Sequence, residues 1–289
     1  MFALRRRLLS MAVPALAALA AALVLTVVIG VLGVLLARGA GAVNFAFLTT
    51  GSREAGAEGG VVWQLVGTFV LIASALVVAT PLALAWALTQ EFYLTRHSRA
   101  RRVMAGVLQM LNGVPSVVFG ILGLVVFVGL LGWGKSWLSG GILLGVMIVP
   151  TLALALGQRI SAIPPRFIEA AAGLGLGRGV IVRTVVLPQS FSGLVTGSLL
   201  GLSRAAGETA PILFAAAIFS GATWPTGIAD SPVLALPYHI FVLAQDSLHP
   251  GAQANLWGAA LVLVALALLL NLAALPLRLK AHDPSRTAH

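Results

Sequence analysis

The sequence predicts an all-α integral membrane protein of six transmembrane helices, and three observations carry that prediction. Of its 289 residues, 59% are hydrophobic and only 9% charged, with a mean hydropathy of +1.02. A water-soluble domain carries roughly a quarter of its residues charged. The apolar residues also fall in six long runs, each on the scale of the ~20 residues a membrane-crossing helix needs. Finally, the basic residues behind the formal net charge of +10 gather between alternate runs. That pattern orients a membrane protein, whereas in a soluble chain the same charge would point to nucleic acid. The chain has no cysteine, which removes disulfides and thiolate metal sites.

The first run, Met11 to Ala37, follows the basic triplet Arg5, Arg6 and Arg7. It is too long for a signal-peptide core of roughly 7–15 residues, so it is expected to remain as an anchor. Arg38 to Gly60 is polar and Gly-rich, a loop. The second run, Val61 to Leu88, ends at a loop bearing Arg96, Arg99, Arg101 and Arg102. The third, Val103 to Trp133, is interrupted at Gly113-Val114-Pro115-Ser116. The fourth, Gly141 to Gly157, leads into a long basic loop over 158–187. The fifth, Pro188 to Ala217, contains Arg204 and Glu208, and the sixth is Leu256 to Leu277. Before it, Leu234 to Gln245 is apolar but too short to span, and reads as an interfacial or re-entrant segment.

Six crossings put both termini on one side. That side receives Arg5, Arg6, Arg7, the four arginines of 96–102, Arg159, Arg166, Arg178, Arg183, Arg278, Lys280 and Arg286, against Arg38, Arg53 and Lys135 on the other. The bias predicts cytoplasmic termini. The expected organisation is an N-terminal tail, first helix and external loop (1–60), a transmembrane core (61–277) and a C-terminal tail (278–289).

Gly129-Leu-Leu-Gly-Trp-Gly134-Lys135-Ser136 matches the phosphate-binding pattern G-x-x-x-x-G-K-[ST] letter for letter. That mechanism needs a strand before the loop and a helix after it. A membrane run precedes it here, and the charge bias puts Lys135 outside, away from ATP. Lys135, Trp133 and Trp137 are instead expected to be interfacial anchors.

The long basic loop is more informative. Pro165 can open a short helix, and Gly173 or Gly175 can close it in the left-handed conformation. Between them Phe167 and Ile168 supply apolar knobs, and Ala170, Ala171 and Ala172 offer a small-residue surface for close approach. The plain alternative is a helix lying on the membrane surface. Glu169-Ala170-Ala171, Gly175 and Leu187-Pro188 together resemble the "EAA" loop of permease subunits of bacterial ABC importers. Val185 stands where that family usually has isoleucine. The resemblance covers about Trp63 to Leu277. It implies a type I, MetI-like core of five helices plus an extra N-terminal helix. It also implies a coupling helix that docks on a separate ATPase subunit, the carrier of ATP and Mg; this chain is expected to bind no cofactor and to be non-catalytic.

Inside the fifth run, Arg204 and Glu208 are four residues apart, and one continuous helix would put them on one face. Each costs roughly 2.5–3.5 kcal/mol at membrane depth unless compensated. Gly193, Gly197, Gly201 and Ala205 recur every fourth residue, a face suited to close helix packing. Arg204 and Glu208 return to nearly that face, so they are expected to point at protein or a pore. Either they form an ion pair that fixes packing, or Arg204, Glu208 and Thr209 line a substrate pathway. Arg204-Ala-Ala-Gly-Glu-Thr-Ala-Pro211 resembles the signature of the phosphate-specific PstA permeases, and Gly113-Val-Pro-Ser116 resembles the same subfamily's earlier segment. The resemblance implies a PstC-like second permease, two PstB-like ATPase subunits and an extracytoplasmic PstS-like phosphate-binding protein, assembled at the bacterial plasma membrane.

Rival readings are a permease for phosphonate, molybdate or sulfate, and a secondary transporter. The second would carry coupling carboxylates in several runs, whereas only Glu208 lies deep in one and Glu91 at another's end. A membrane enzyme would need a nucleophile–base or metal set. His97, His239, His249, His282 and His289 show no ligand spacing and are expected at surfaces or interfaces.

Overall fold

A computed structural model describes residues 2–219, 221, 224–245 and 250–281. Side chains are described between Val13 and Pro276, apart from residues 55, 220, 222, 223 and 246–250. The predicted tail beyond Ala281, with Arg286, His282 and His289, and the predicted loop residue His249 lie outside the described residues. Among the described residues, twelve α-helices follow in chain order: α1 (Phe2–Gly39), α2 (Phe45–Thr49), α3 (Val62–Leu88), α4 (Arg99–Gly113), α5 (Ser116–Gly123), α6 (Trp137–Ser161), α7 (Pro165–Gly173), α8 (Arg178–Ile181), α9 (Leu187–Ala206), α10 (Ala210–Ala215), α11 (Leu236–Leu243) and α12 (Pro250–Ala281). A two-stranded hairpin, β1 (Ser52–Arg53) with β2 (Glu58–Gly59), sits between α2 and α3. Among the described residues, five helical segments are long and apolar enough to cross a membrane, and the bent pair α4–α5 makes a sixth.

The central helix is α6. Its Leu144, Met147, Ile148, Leu152 and Leu156 are sealed against Leu71, Ala75, Ala79 and Ala83 of α3. The two run parallel: a Cβ on Gly140 would come within 3.0 Å of Leu71, and one on Gly157 within 3.6 Å of Glu91, at the far end of both. Helix α9 returns antiparallel, with Gly193 beside Arg159, Gly197 beside Leu152 and Ala155, and Gly201 beside Ile148. Helix α1 packs antiparallel on α12, where Gly39 lies against the Trp257 backbone and Arg38 sits over the Trp257 ring at 5.0 Å. Its other described side chains are mostly exposed, the state of a lipid-facing helix. One end of the bundle therefore gathers Arg96, Arg99, Arg101, Arg102, Arg159, Arg166, Arg178 and Arg183; the opposite end holds Arg38, Arg53 and Lys135. Glu91 and Arg101, 2.5 Å apart, tie the foot of α3 to α4 at the basic end.

Two predicted spans differ from continuous helices. The third bends by 89° between α4 and α5. Pro115 has no N–H to donate and forces Val114 out of the helical region, to φ −69° and ψ 125°. The pair reaches from one end of the bundle to the other: Arg101 of α4 meets Glu91 at the basic end, and Trp133, beyond the π turn Leu124–Leu130 that continues α5, accepts the Asp230 N–H at the opposite end. The fifth span starts at Arg178 and ends at Ala206, rather than running from Pro188 to Ala217. Pro188 does not stop it: the π turn Val182–Val186 absorbs the missing hydrogen bond, and the helix runs on. Its 29 residues span roughly 44 Å at 1.5 Å per residue, longer than the ~30 Å hydrocarbon layer, so it projects from the basic end. At the other end Pro211 denies Gly207 its helical partner, and the chain restarts as α10.

Segment α11 is too short to span. Its Leu236 N–H donates to Thr68 Oγ1 at 3.0 Å, and Gly67 is bare where a Cβ would collide with the Leu234 carbonyl. Lys135 and Trp137, expected at the membrane interface, also tie the chain together at this end. Lys135 Nζ donates to the Leu213 carbonyl at 3.0 Å, closing the C-terminal end of α10, and Trp137 Nε1 donates to the Gly227 carbonyl at 2.8 Å. A π turn, Leu124–Leu130, leads into the phosphate-binding look-alike where that mechanism needs a strand, and Ser136 is the N-cap of α6, accepting from the Ser139 N–H.

The α6–α9 contact has a direct test. A Cβ at Gly197 would stand 2.9 Å from Ala155 Cβ and 3.3 Å from Leu152 Cα. Gly197→Val should cost ~1–3 kcal/mol through overpacking, lowering the melting temperature of the purified complex by several degrees. Gly179→Ala, with nothing within 4 Å, should leave it unchanged.

Candidate translocation site and coupling helix

The two helix breaks meet. Helices α5 and α10, each starting just after its break, pack closely: a Cβ on Gly120 would stand 2.7 Å from Phe214 and 2.8 Å from the Ala210 carbonyl. The segments Gly113–Ser116 and Arg204–Pro211, about 90 residues apart in sequence, thus line one place. Arg204, in the last turn of α9, donates from Nη1 to Asn112 Oδ1 at 3.3 Å, and Asn112 is in the last turn of α4. Its Nε lies 3.8 Å from Glu208 Oε1.

The structure corrects how that pair is built. Helix α9 ends at Ala206, so Glu208 is not on it and helical periodicity does not place its side chain. It stands in the link, where Gly207 N–H bonds the Arg204 carbonyl and Glu208 N–H the Ala205 carbonyl. At 3.8 Å, with 37% of the Arg204 side chain and 17% of the Glu208 side chain exposed, the pair is loose. Contacts of that kind contribute ~0–1 kcal/mol. Most of the guanidinium donors remain open. Thr209 occupies the N-cap position of α10 without a side-chain capping bond, while its carbonyl accepts the Leu213 N–H at 2.8 Å. Gly193, Gly197, Gly201 and Ala205 face away from this cluster, into α6 or the core. Asn112 went unnoticed in the sequence; its one signal was a lone amide at the edge of a proline break.

At the basic end, α7 opens on Pro165 and is closed by Gly175 at φ +76°. The Leu176 N–H bonds the Ala171 carbonyl at 3.2 Å and the Gly175 N–H bonds that of Ala172 at 2.9 Å, a Schellman closure. Of the two glycines the sequence offered, Gly175 takes the left-handed position. Ala171 is buried and anchors α7 to the bundle, whereas Glu169, Ala170 and Ala172 are exposed. Phe167, Leu174 and Val180 add exposed apolar surface. Leu187 and Pro188 open α9 above it.

The opposite end holds a polar cluster that the sequence did not reveal. His239 is buried, not interfacial: its Nδ1 lies 3.3 Å from Gln64 Nε2, which also donates to Ser52 Oγ at 3.0 Å, and its ring stacks on Phe219. Burial lowers its pKa from 6.5 to about 4, so it is neutral at ordinary pH. The cluster ties the β1–β2 hairpin to α3 and α11. His97, by contrast, is exposed.

Residues 79–278 match the family described as "Binding-protein-dependent transport system inner membrane component". The chain is 34% identical over 216 residues to the phosphate transport system permease protein PstA 2 of Mycobacterium tuberculosis, covering 74% of this chain and 70% of that one. It is 28% identical over 281 residues to PstA of Xylella fastidiosa, covering 97% and 96%. To the probable ABC transporter permease protein YqgI of Bacillus subtilis it is 28% identical over 257 residues, covering 85% and 87%. Its fold is similar to that of a chain in the inward-facing MetNI methionine ABC transporter, with a TM-score of 0.54 at 19% identity, over 76% of this chain and 93% of that chain. A multi-pass bundle of this architecture, matched over two thirds of its length, belongs to the family of binding-protein-dependent transport inner membrane components, the permease subunits of ABC importers.

Proposed function

We propose that this chain is a permease subunit of an ATP-driven importer of inorganic phosphate in a bacterial plasma membrane, with its termini cytoplasmic. The observation that carries the substrate class is the Arg204 cluster, where a guanidinium with open donors stands between two adjoining helix breaks. Arginine stays protonated at any working pH, and its planar fork matches an oxyanion. Asn112 holds the fork, and the loosely paired Glu208 keeps the anion from binding too tightly to leave. Relatives named as phosphate permeases favour phosphate over phosphonate, molybdate or sulfate. The family works with an ATPase and a substrate-binding protein; here we assign a PstC-like second permease, two PstB-like ATPase subunits carrying ATP and Mg, and a PstS-like binding protein. The protruding α7 is the ATPase contact, and this chain binds no nucleotide and catalyses nothing itself.

Three experiments test this. In a reconstituted complex, Gly175→Pro or Glu169→Lys should leave membrane insertion intact and abolish both stimulated ATP hydrolysis and uptake; normal coupled hydrolysis in either variant removes α7 from the coupling role. For orientation, a reporter fused after Gly173 should read as cytoplasmic and one after Asp230 as external, and two reports from one side would overturn the crossing count.

The third concerns Arg204. Arg204→Gln keeps length and hydrogen-bonding capacity, so the complex should assemble and hydrolyse ATP while phosphate uptake falls by orders of magnitude. Arg204→Lys should rescue only in part, since a point charge cannot make bidentate contact. If the pair were only a packing device, Arg204→Gln combined with Glu208→Gln would restore near-normal uptake, and that result would end the anion-contact reading.

A further inference from the structure

On the basic side of Arg204, helices α4, α6 and α9 line an open cavity of about 440 Å³. Asn112 belongs to both places: it accepts from Arg204 and lines this cavity. The wall also carries Thr151, Gln158, Arg159 and Thr196, and no carboxylate. Thr196 is only 7% exposed, and its Oγ1 has no hydrogen-bond partner. A buried hydroxyl in a helix ordinarily bonds a carbonyl one turn back, and leaving one unmade costs about 1–3 kcal/mol. Arg159 is half-buried and, among the described residues, has neither an ion-pair nor a side-chain hydrogen-bond partner. Its stem lies across α9 at Gly193, where a Cβ would stand 2.5 Å from Arg159 Cγ. The missing side chain at Gly193 is what lets the arginine lie along the cavity wall.

An arginine without an acceptor lines this pocket, and a buried hydroxyl without one stands in its wall. The partner chemistry they are short of is a compact group with several acceptor oxygens and negative charge. Thr196 and Gly193 precede Arg204 by eight and eleven residues on one helix, which puts the cavity roughly 12–16 Å nearer the basic end at 1.5 Å per residue. We propose that Arg159 and Thr196, with Thr151 and Gln158, form a second oxyanion station that receives the tetrahedral anion from the Arg204 cluster on its way to the basic end. This rests on the reading that anions pass Arg204. Two weak stations in series let an anion leave the first for the second without either holding it fast.

The test exploits a chain with no cysteine of its own. Thr196→Cys, in the assembled complex with cysteine-free partner subunits, places a single thiol in the cavity. Relative to their rates with a small free thiol in solution, a sulfonate-bearing methanethiosulfonate should label it roughly tenfold faster than the trimethylammonium analogue, by the local positive field. That ratio should fall to near one on adding Arg159→Gln and survive Arg159→Lys. Inorganic phosphate should slow labelling when Arg159 is present and not in the Arg159→Gln background, equally in zwitterionic vesicles and in vesicles with added phosphatidylglycerol. Thr151→Cys, on the facing helix, should reproduce the pattern if Thr196→Cys does not assemble. A ratio indifferent to Arg159 overturns the station, and so does protection by phosphatidylglycerol but not by phosphate, which would make the cavity a lipid-headgroup site. The labelling needs no transport, so it is separate from Arg204→Gln uptake: normal uptake in that variant with an intact labelling pattern overturns the Arg204 reading and leaves the station.

Discussion

Inside a bilayer every backbone N–H and C=O must find a partner within the protein, because lipid offers none. A proline at membrane depth breaks that rule locally, and this fold is organised around where it does so. Pro115 and Pro211 each end one helix and let another begin, and the exposed backbone groups are tolerable only where protein or a polar cavity covers them. Packing α5 against α10 puts both breaks in one place, and Lys135 supplies donors for the carbonyls at the far end of α10. The same logic admits Arg204. A guanidinium that would cost several kcal/mol against lipid is tolerated beside Asn112, the α9–α10 link and a polar cavity.

Small residues make that covering possible. Gly120 and Gly123 let α5 approach α10, Gly140 and Gly145 let α6 approach α3, and Gly193, Gly197 and Gly201 let α9 approach α6. Dispersion between closely packed backbones replaces the hydrophobic drive that a bilayer does not provide. The result is a closely packed trio of α3, α6 and α9, with α1 at the periphery against α12.

What could be read from the sequence follows this division. Spans, their order and the basic end were legible because hydropathy and charge act on long windows, where single contacts average out. The short helix from Pro165 to Gly175 was legible because its start and stop are local backbone chemistry. The Arg204 and Gly113 motifs could be seen but not joined, since their meeting depends on a tertiary contact. Continuity across prolines misled: Pro188 marked a beginning that the π turn erased, and Pro211 an interior position that proved to be a break. Asn112, Thr196, Gln64 and His239 stayed hidden because a lone polar residue in an apolar run has no pattern to announce it. The carbonyls that Lys135 bonds at the end of α10 depend on a tertiary contact, so the sequence does not name them.

The connectivity joins the proposed ATPase contact to the proposed site. Helix α7 hangs between the last turn of α6 and the helix that runs without interruption from Arg178 through α9 to Arg204. A displacement of α7 therefore acts on two helices at once, and they are locked together by glycine contacts along their length. Packed interiors move as bodies between alternative arrangements instead of deforming continuously. From Arg178 to Arg204, roughly 39 Å at 1.5 Å per residue, the one irregularity is the π turn at Val182–Val186. The next interruption is the link at Gly207, Glu208 and Thr209, where the helical hydrogen-bond ladder stops. Arg204 and Glu208, 3.8 Å apart, flank that link, so the loosest contact of the site lies where the helix gives way.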